Sequence, residues 1–311
     1  MTNISVDTAL MKHNDAGLVT ATCVSGRFAP SVLTRAWLMS EGENMLTRQG
    51  IERARYDVQA ILQAVLGVNT IDLYIDRERS VTQSEYDRCM AFITRRGRRE
   101  PLQYILGEVD FCGLSFFVSP GVFIPRPETE LIIEAISSRA ILPRSILDLC
   151  TGSGALAISL ATRFPEALAT AIDCSEIALD VARSNQKRHD THVSFLKGDL
   201  FGPLQQDQFD LIVCNPPYIS INDCDKIDRE VLEYEPHLAL FSQDEGHRHL
   251  AQILMKAPEF LQKNGYLFLE IGIGQSSWLL DFVKEATPFS AQCIKDWAGI
   301  DRIAVCQWIK S

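Results

Sequence analysis

The chain has 311 residues, 46% hydrophobic and 23% charged, enough to bury one large core or two unequal ones in an ordinary water-exposed globule. No apolar run approaches the roughly eighteen residues of a spanning helix, and no basic stretch followed by an apolar core opens the chain, so neither a membrane segment nor a secretory leader is expected. With 30 Lys and Arg against 40 Asp and Glu, the net charge of −10 argues against direct DNA binding, which rests on neutralising phosphates.

Residues 1–30 mix Thr, Ser, Asn and Gly without a period and read as an N-terminal extension, possibly disordered. Residues 31–100 read as a small bundle of four or five helices: Arg55, Val58, Ile61, Leu62 and Val65 fall at helical spacing, Gly67 is a stop, and Leu73, Tyr86, Met90 and Ile93 continue the style. The basic run Arg95-Arg96-Gly97-Arg98-Arg99 reads first as a solvated helix end favoured by the macrodipole. A contact with a partner or its RNA is the alternative. Residues 101–128 mix Phe111, Phe116, Phe117 and Phe123 with Gly and Pro and read as a β-hairpin or extended linker.

From residue 129 helices and strands alternate. Helices are expected at 130–140, 155–163, 175–187, 248–262 and 275–285, and strands at 145–150, 167–173, 193–197, 209–214 and 266–271. Two closing strands, 289–294 and 302–308, have no long helix between them. Such alternation predicts a mostly parallel sheet covered on both faces, closed by an antiparallel hairpin at its edge. The predicted fold class is therefore α/β, a seven-stranded sheet over residues 129–311 preceded by a helical bundle, and its layout with a closing hairpin resembles the Rossmann-like class I methyltransferase fold.

Nine cysteines are scattered without a C-x-x-C pair. Cys150, Cys174, Cys214 and Cys306 end apolar runs, where a thiol acts as a small buried hydrophobe. An odd, unpatterned count fits a reducing compartment and a cytoplasmic location. The six histidines form no cluster with metal spacing, so no metal is expected.

Four segments carry chemistry. Asp148-Leu149-Cys150-Thr151-Gly152-Ser153-Gly154 ends a strand and opens a helix, where glycines let the backbone approach a ligand and helix-start N–H groups are free. By itself that serves any nucleotide, and the polyphosphate pattern is absent. Asp173 ends the next strand, placed to accept hydrogen bonds from ribose hydroxyls, with a helix cap as the plainer reading. Gly198-Asp199-Leu200 ends the third strand, which in this fold lies beside an adenine. The most specific segment is Asn215-Pro216-Pro217-Tyr218, directly after the apolar strand 209–214. Its two prolines lack donors and stiffen the loop. The Asn oxygen and an adjacent carbonyl can each accept from one NH2 group, and the Tyr offers a flat face to a planar substrate. An amide nitrogen is a poor nucleophile; two acceptors would aim it at an electrophilic methyl.

These segments, together with Pro101-Leu102-Gln103-Tyr104-Ile105-Leu106-Gly107, Phe123-Ile124-Pro125-Arg126-Pro127-Glu128-Thr129-Glu130 and Tyr234-Glu235-Pro236 with Ala239-Leu240, resemble the release-factor glutamine N5-methyltransferases, the HemK/PrmC family. The resemblance covers roughly residues 50–308. It implies methyl transfer from S-adenosyl-L-methionine, with S-adenosyl-L-homocysteine as product, to the glutamine of the Gly-Gly-Gln motif in peptide-chain release factors. It implies that the helical domain helps dock that factor, and that Cys150, Thr151, Gly152, Ser153, Gly154, Asp173, Asp199, Leu200 and Asn215 hold the cofactor. Asn215, Pro216, Pro217 and Tyr218 would hold the glutamine, with Asn215, Pro216 and Tyr218 as the catalytic set. Asn-Pro-Pro-Tyr is shared with adenine N6 methyltransferases, so methylation of DNA or RNA is the rival activity, with glutamine methylation of a ribosomal protein as a second and a catalytically dead binding module as a third. The chain departs from the family pattern at Cys150, where Gly is frequent, at Leu200, where an aromatic is common, and at Asp244-Glu245-Gly246, in place of Asp-Gly.

Overall fold

The computed structural model describes residues 32–309, so the reading of residues 1–30 as a disordered extension lies outside the described residues. The described chain forms two compact units, one ending at Leu106 and one beginning at Gly107.

The first unit holds helices α1 (Arg35–Arg48), α2 (Ala54–Leu66), α3 (Thr70–Ile75), α4 (Gln83–Gly97) and α5 (Leu102–Leu106). Their ends follow from local chemistry. The Thr34 hydroxyl accepts from Trp37 N–H, Asn69 accepts from Asp72 N–H, and Thr82 with Glu85 forms a reciprocal capping box. Gly67 closes α2 in the left-handed region. Leu38, Leu46, Val58, Ile61, Leu62 and Ile93 form a core of wholly buried side chains. Arg55, grouped in the sequence with Val58, Ile61, Leu62 and Val65 at helical spacing, does not share their inward face and is exposed. Asp57 takes that inward position and pairs with buried Arg96 at 2.6 Å. The basic run is mostly committed within this unit: Arg95 pairs with Glu100, Arg96 with Asp57, and Arg99 donates to the Gly50 carbonyl at 2.9 Å.

The stretch 101–128, read as a β-hairpin or extended linker, divides, and the hairpin is present. Residues 102–106 are helical, while β1 (Glu108–Phe111) and β2 (Leu114–Phe117) form a hairpin of the second unit. Phe111 and Phe116 are buried in that unit's core, and this apolar anchorage makes the hairpin part of the globule.

The second unit continues through α6 (Glu130–Ser138), β3 (Ser145–Leu149), α7 (Ala155–Arg163), β4 (Leu168–Asp173), α8 (Glu176–His189), β5 (Val193–Lys197) and β6 (Phe209–Cys214). Short elements follow: β7 (Ile219–Ser220), α9 (Arg229–Tyr234), α10 (His237–Leu240) and β8 (Phe241–Ser242). The chain closes with α11 (Arg248–Lys256), β9 (Leu261–Glu270), α12 (Ser276–Ala286), β10 (Phe289–Lys295) and β11 (Asp301–Trp308). The seven-stranded sheet runs β10-β11-β9-β6-β3-β4-β5. Its pairings from β5 through β9 are parallel, and β11 is antiparallel to both neighbours, the Rossmann-like layout with a closing hairpin.

Alternation along each strand splits the core by face. Ile146, Ala171, Leu211, Val213 and Phe268 join α6 and α7 on one side; Leu147, Leu149, Ile172, Ile212 and Leu269 join α11 and α12 on the other. Cys214, at the end of β6, and Cys306, within β11, are buried, whereas Cys150 is half-buried and Cys174 exposed, because both lie in loops beyond their strands.

One helix ends earlier than its apolar pattern suggests. The expected span 248–262 stops at Lys256 because Pro258 cannot continue the helical hydrogen bonding, and a short 3-10 turn at Ala257–Glu259 leads into β9. β9 starts earlier than expected and takes a bulge at Asn264, which has φ of 65°, and Gly265.

Candidate active site

The chain runs from β3 outward to β4 and β5, then returns to β6 on the other side of β3. Loops leaving the carboxyl ends of β3 and β6 therefore diverge and leave a crevice, the position where open α/β sheets take ligands. A cavity of about 980 Å³, counting its open mouth, lies there.

Its floor is the loop after β3. Asp148 is 1% exposed; its Oδ2 accepts from the Thr151 hydroxyl at 2.6 Å and from Ala157 N–H at 3.2 Å. Its Oδ1 is buried without a partner, and burial pushes the carboxyl up to about 7. Cys150 has a φ of 57°, a left-handed position that a glycine would occupy without strain. Gly154, at φ of 82°, sits where any side chain would be strained, and an added Cβ would crowd the Ala182 Cβ at 3.1 Å.

Asp173 ends β4 and ties the floor to the wall. It accepts from Gly152 N–H and Ser175 N–H, each at 2.8 Å. Ser175, not Asp173, caps α8. Burial raises the Asp173 carboxyl from its ordinary value against the pull of these N–H donors. Asp199 and Leu200 line the cavity after β5, Leu200 in the left-handed region at φ of 45°.

The Asn215–Tyr218 loop forms the opposite wall and is held from several directions. Asn215 Nδ2 donates to the Thr129 hydroxyl oxygen at 3.1 Å. The Tyr218 hydroxyl donates to Glu270 Oε1 at 2.9 Å, and Gln275 Nε2 donates to the Tyr218 carbonyl at 3.0 Å. Gly246 passes so close that an added Cβ would meet the Tyr218 carbonyl oxygen at 2.2 Å. This explains why the turn Asp244-Glu245-Gly246 ends in glycine. The strap Phe123-Ile124-Pro125-Arg126 contributes Phe123 and Pro125 to the lining. Buried Glu235 anchors it by pairing with Arg126 and by accepting from Ile124 N–H at 3.1 Å, and the Arg126 guanidinium lies 4.8 Å from the Phe123 ring centre.

Of the residues singled out in the sequence, Cys150, Thr151, Gly152, Ser153, Asp173, Asp199, Leu200, Asn215 and Pro217 share the lining of this one cavity. Gly154 packs against α8 instead, Pro216 is buried beneath the loop, and Tyr218 turns its hydroxyl to Glu270.

The first 70 residues of the recognisable region, 38–107, match the family model of the PrmC N-terminal domain, and residues 113–233 match that of the methyltransferase small domain. A release factor glutamine methyltransferase of Geobacter sulfurreducens is 38% identical over 88% of this chain and 96% of its own length. Proteins of the same name from Thermodesulfovibrio yellowstonii and Koribacter versatilis are 36% and 37% identical, covering 82% and 81% of this chain and 93% and 90% of their own lengths. The chain belongs to the release factor glutamine methyltransferase family.

Within this family member, two buried polar residues around the Asn215 loop escaped the sequence reading: Glu270 and Gln275. Glu270 carried a usable signal, since it ends the apolar run Leu267-Phe268-Leu269 as Asp148 and Asp173 end theirs. Gln275 carried none, because its bond to the Tyr218 carbonyl spans 57 positions.

Proposed function

We propose that this chain transfers the methyl group of S-adenosyl-L-methionine to the side-chain amide nitrogen of the glutamine in the Gly-Gly-Gln motif of a peptide-chain release factor. The observation that carries the reading is the Asn215 loop, whose Asn opens into the same cavity as the Gly-rich loop and Asp173.

The cavity fits the cofactor. It places acidic Asp173 and Asp199 along one wall and apolar Leu156, Ile172 and Leu200 beside them, while Asp148, behind the lining, keeps a buried carboxyl oxygen without a partner. A ligand with a cationic end, ribose hydroxyls and an apolar base complements that set. Cys150 to Ser153 would hold the amino-acid end, Asp173 the ribose, and Asp199 and Leu200 the base. When bound, the cofactor supplies a methyl group on a positively charged sulfur, and S-adenosyl-L-homocysteine leaves after transfer.

The chain's own residues orient and shield. Asn215 Oδ1 accepts one hydrogen of the glutamine NH2 group. A carbonyl of the stiff Pro216-Pro217 segment accepts the other. Both bonds strengthen as the nitrogen gains positive charge, so they favour the transition state over the bound amide. The new C–N bond forms as the S–C bond breaks, and the nitrogen then gives a proton to water. The Phe123–Arg126 strap excludes solvent. The helical unit would dock the release factor, and the presence of release factors in the cytoplasm accords with a cytoplasmic location. No helix among the described residues is long and apolar enough to cross a membrane.

Methyl-labelled cofactor offered with a release factor, a ribosomal protein or DNA tests this directly. Label in the release factor glutamine is the expected result. Label in DNA adenine or in the ribosomal protein alone would replace the reading with one of its rivals.

A further inference from the structure

We propose that Thr129 and Glu270 act as positioning residues that fix which end of the Asn215 side-chain amide faces the acceptor nitrogen, a role that rests on the functional reading above. The argument is one of hydrogen counting. A threonine hydroxyl has a single hydrogen to donate. At Thr129 that hydrogen goes to Glu270 Oε2, 2.5 Å away. The Thr129 oxygen is then left as an acceptor, so only the NH2 end of Asn215 can meet it, and Nδ2 does so at 3.1 Å. The Asn215 oxygen is thereby the end left for the substrate. An unconstrained asparagine could turn over and present NH2 to NH2, which repels rather than holds.

Glu270 anchors the arrangement at both ends of the tetrapeptide. Its Oε1 accepts from the Tyr218 hydroxyl at 2.9 Å while its Oε2 orders Thr129. The carboxyl is 1% exposed at the end of β9. Thr129, Tyr218, Glu128 and Arg302 are the groups that act on it, and Arg126 acts on Tyr218. Burial is the largest influence and raises its titration, with Glu128 adding to the rise; the Thr129 and Tyr218 hydroxyls and Arg302 oppose it. A protonated Glu270 can donate to Thr129, which frees the threonine hydrogen for Asn215 Oδ1 and reverses the chain of bonds. Loss of the Glu270 charge therefore turns the amide the wrong way.

The test compares Thr129→Val, which keeps the shape and removes the hydroxyl, with Thr129→Ser, which keeps the hydroxyl. Two readouts are used: kcat and KM for release factor methylation, and the side-chain NH2 resonances of Asn215 in protein labelled with 15N-asparagine, assigned by their loss in Asn215→Ala. The expected result for Thr129→Val is a kcat lower by about tenfold to a hundredfold, the scale of one displaced preorganised group, with KM little changed and the Asn215 resonances moved. Thr129→Ser restores kcat and the parental resonances, and parental kcat falls at acid pH on a limb displaced above the ordinary carboxylate range. Parental Asn215 resonances in Thr129→Val overturn the proposal whatever the rate. A Thr129→Ser variant as slow as Thr129→Val does so too, since shape rather than hydrogen-bond direction would then matter. The resonances need no substrate: a chain that shows the expected shifts but labels no release factor supports this positioning and counts against the functional reading alone.

Discussion

Asp148 is 1% exposed, and only one of its two carboxyl oxygens finds donors. Its carboxyl titrates near 7 in the folded chain against an ordinary 3.8. Below the ordinary value the group is neutral in both states, and its contribution to stability is whole. As pH rises from about 4 to about 7 the unfolded chain loses its proton first, so that contribution drains away, at up to about 1.4 kcal/mol per pH unit. Above about 7 the loss is complete. Asp148→Asn cannot titrate. The parental chain should therefore lose stability relative to Asp148→Asn between pH 5 and 7 and run parallel to it above, as read by urea unfolding. A constant difference across that range would mean the Asp148 charge is not destabilised by burial. Asp173 and Asn215 were legible in the sequence because Asp173 closes an apolar strand and Asn215 follows one and opens onto two prolines. Thr129 was legible only as part of a family segment. Its partners lie 86 and 141 positions away, and no local pattern records a bond that only the folded sheet brings together.

At the scale of elements, the strands of the sheet were readable because apolar residues run uninterrupted between loop signals; β5 and β6 have the bounds the pattern suggests. The region 219–242 was not, because its pieces are two to six residues long and too short to show a period. That region still positions the site, since Glu235 anchors the strap from the end of α9. In the helical unit, α3 is a single short turn set that buries Leu73 and leaves Ile71 and Ile75 at 68% and 75% exposure. Large apolar side chains turned outward on a capped element suit a docking contact, and under the proposed function the release factor would be its occupant. Ile71→Glu with Ile75→Glu should raise KM for the release factor by about tenfold, the scale of an interface hot spot, while kcat and cofactor affinity stay parental. Both sites are exposed, so the fold should tolerate the change. A parental KM would remove α3 from the docking surface.

For the whole molecule, the order of the strands decides where chemistry happens. The reversal between β3 and β6 brings a Gly-rich loop and a proline-stiffened loop to one crevice, though they lie about sixty positions apart. The parallel sheet and its closing hairpin followed from the alternation of helices and strands. The boundary at Leu106 did not, because a hairpin expected over 101–128 could belong to a linker until Phe111 and Phe116 are seen in the core of the second unit. The central claim is that this crevice methylates a glutamine amide held by Asn215. Single-turnover methylation of a release factor, read by mass spectrometry of the Gly-Gly-Gln peptide, tests it most directly when parental chain and Asn215→Ala are compared. The account predicts one added methyl on the glutamine with the parental chain, and a rate lower by about 10² to 10³ for Asn215→Ala. A parental rate for Asn215→Ala, with the methyl still on that glutamine, would contradict it.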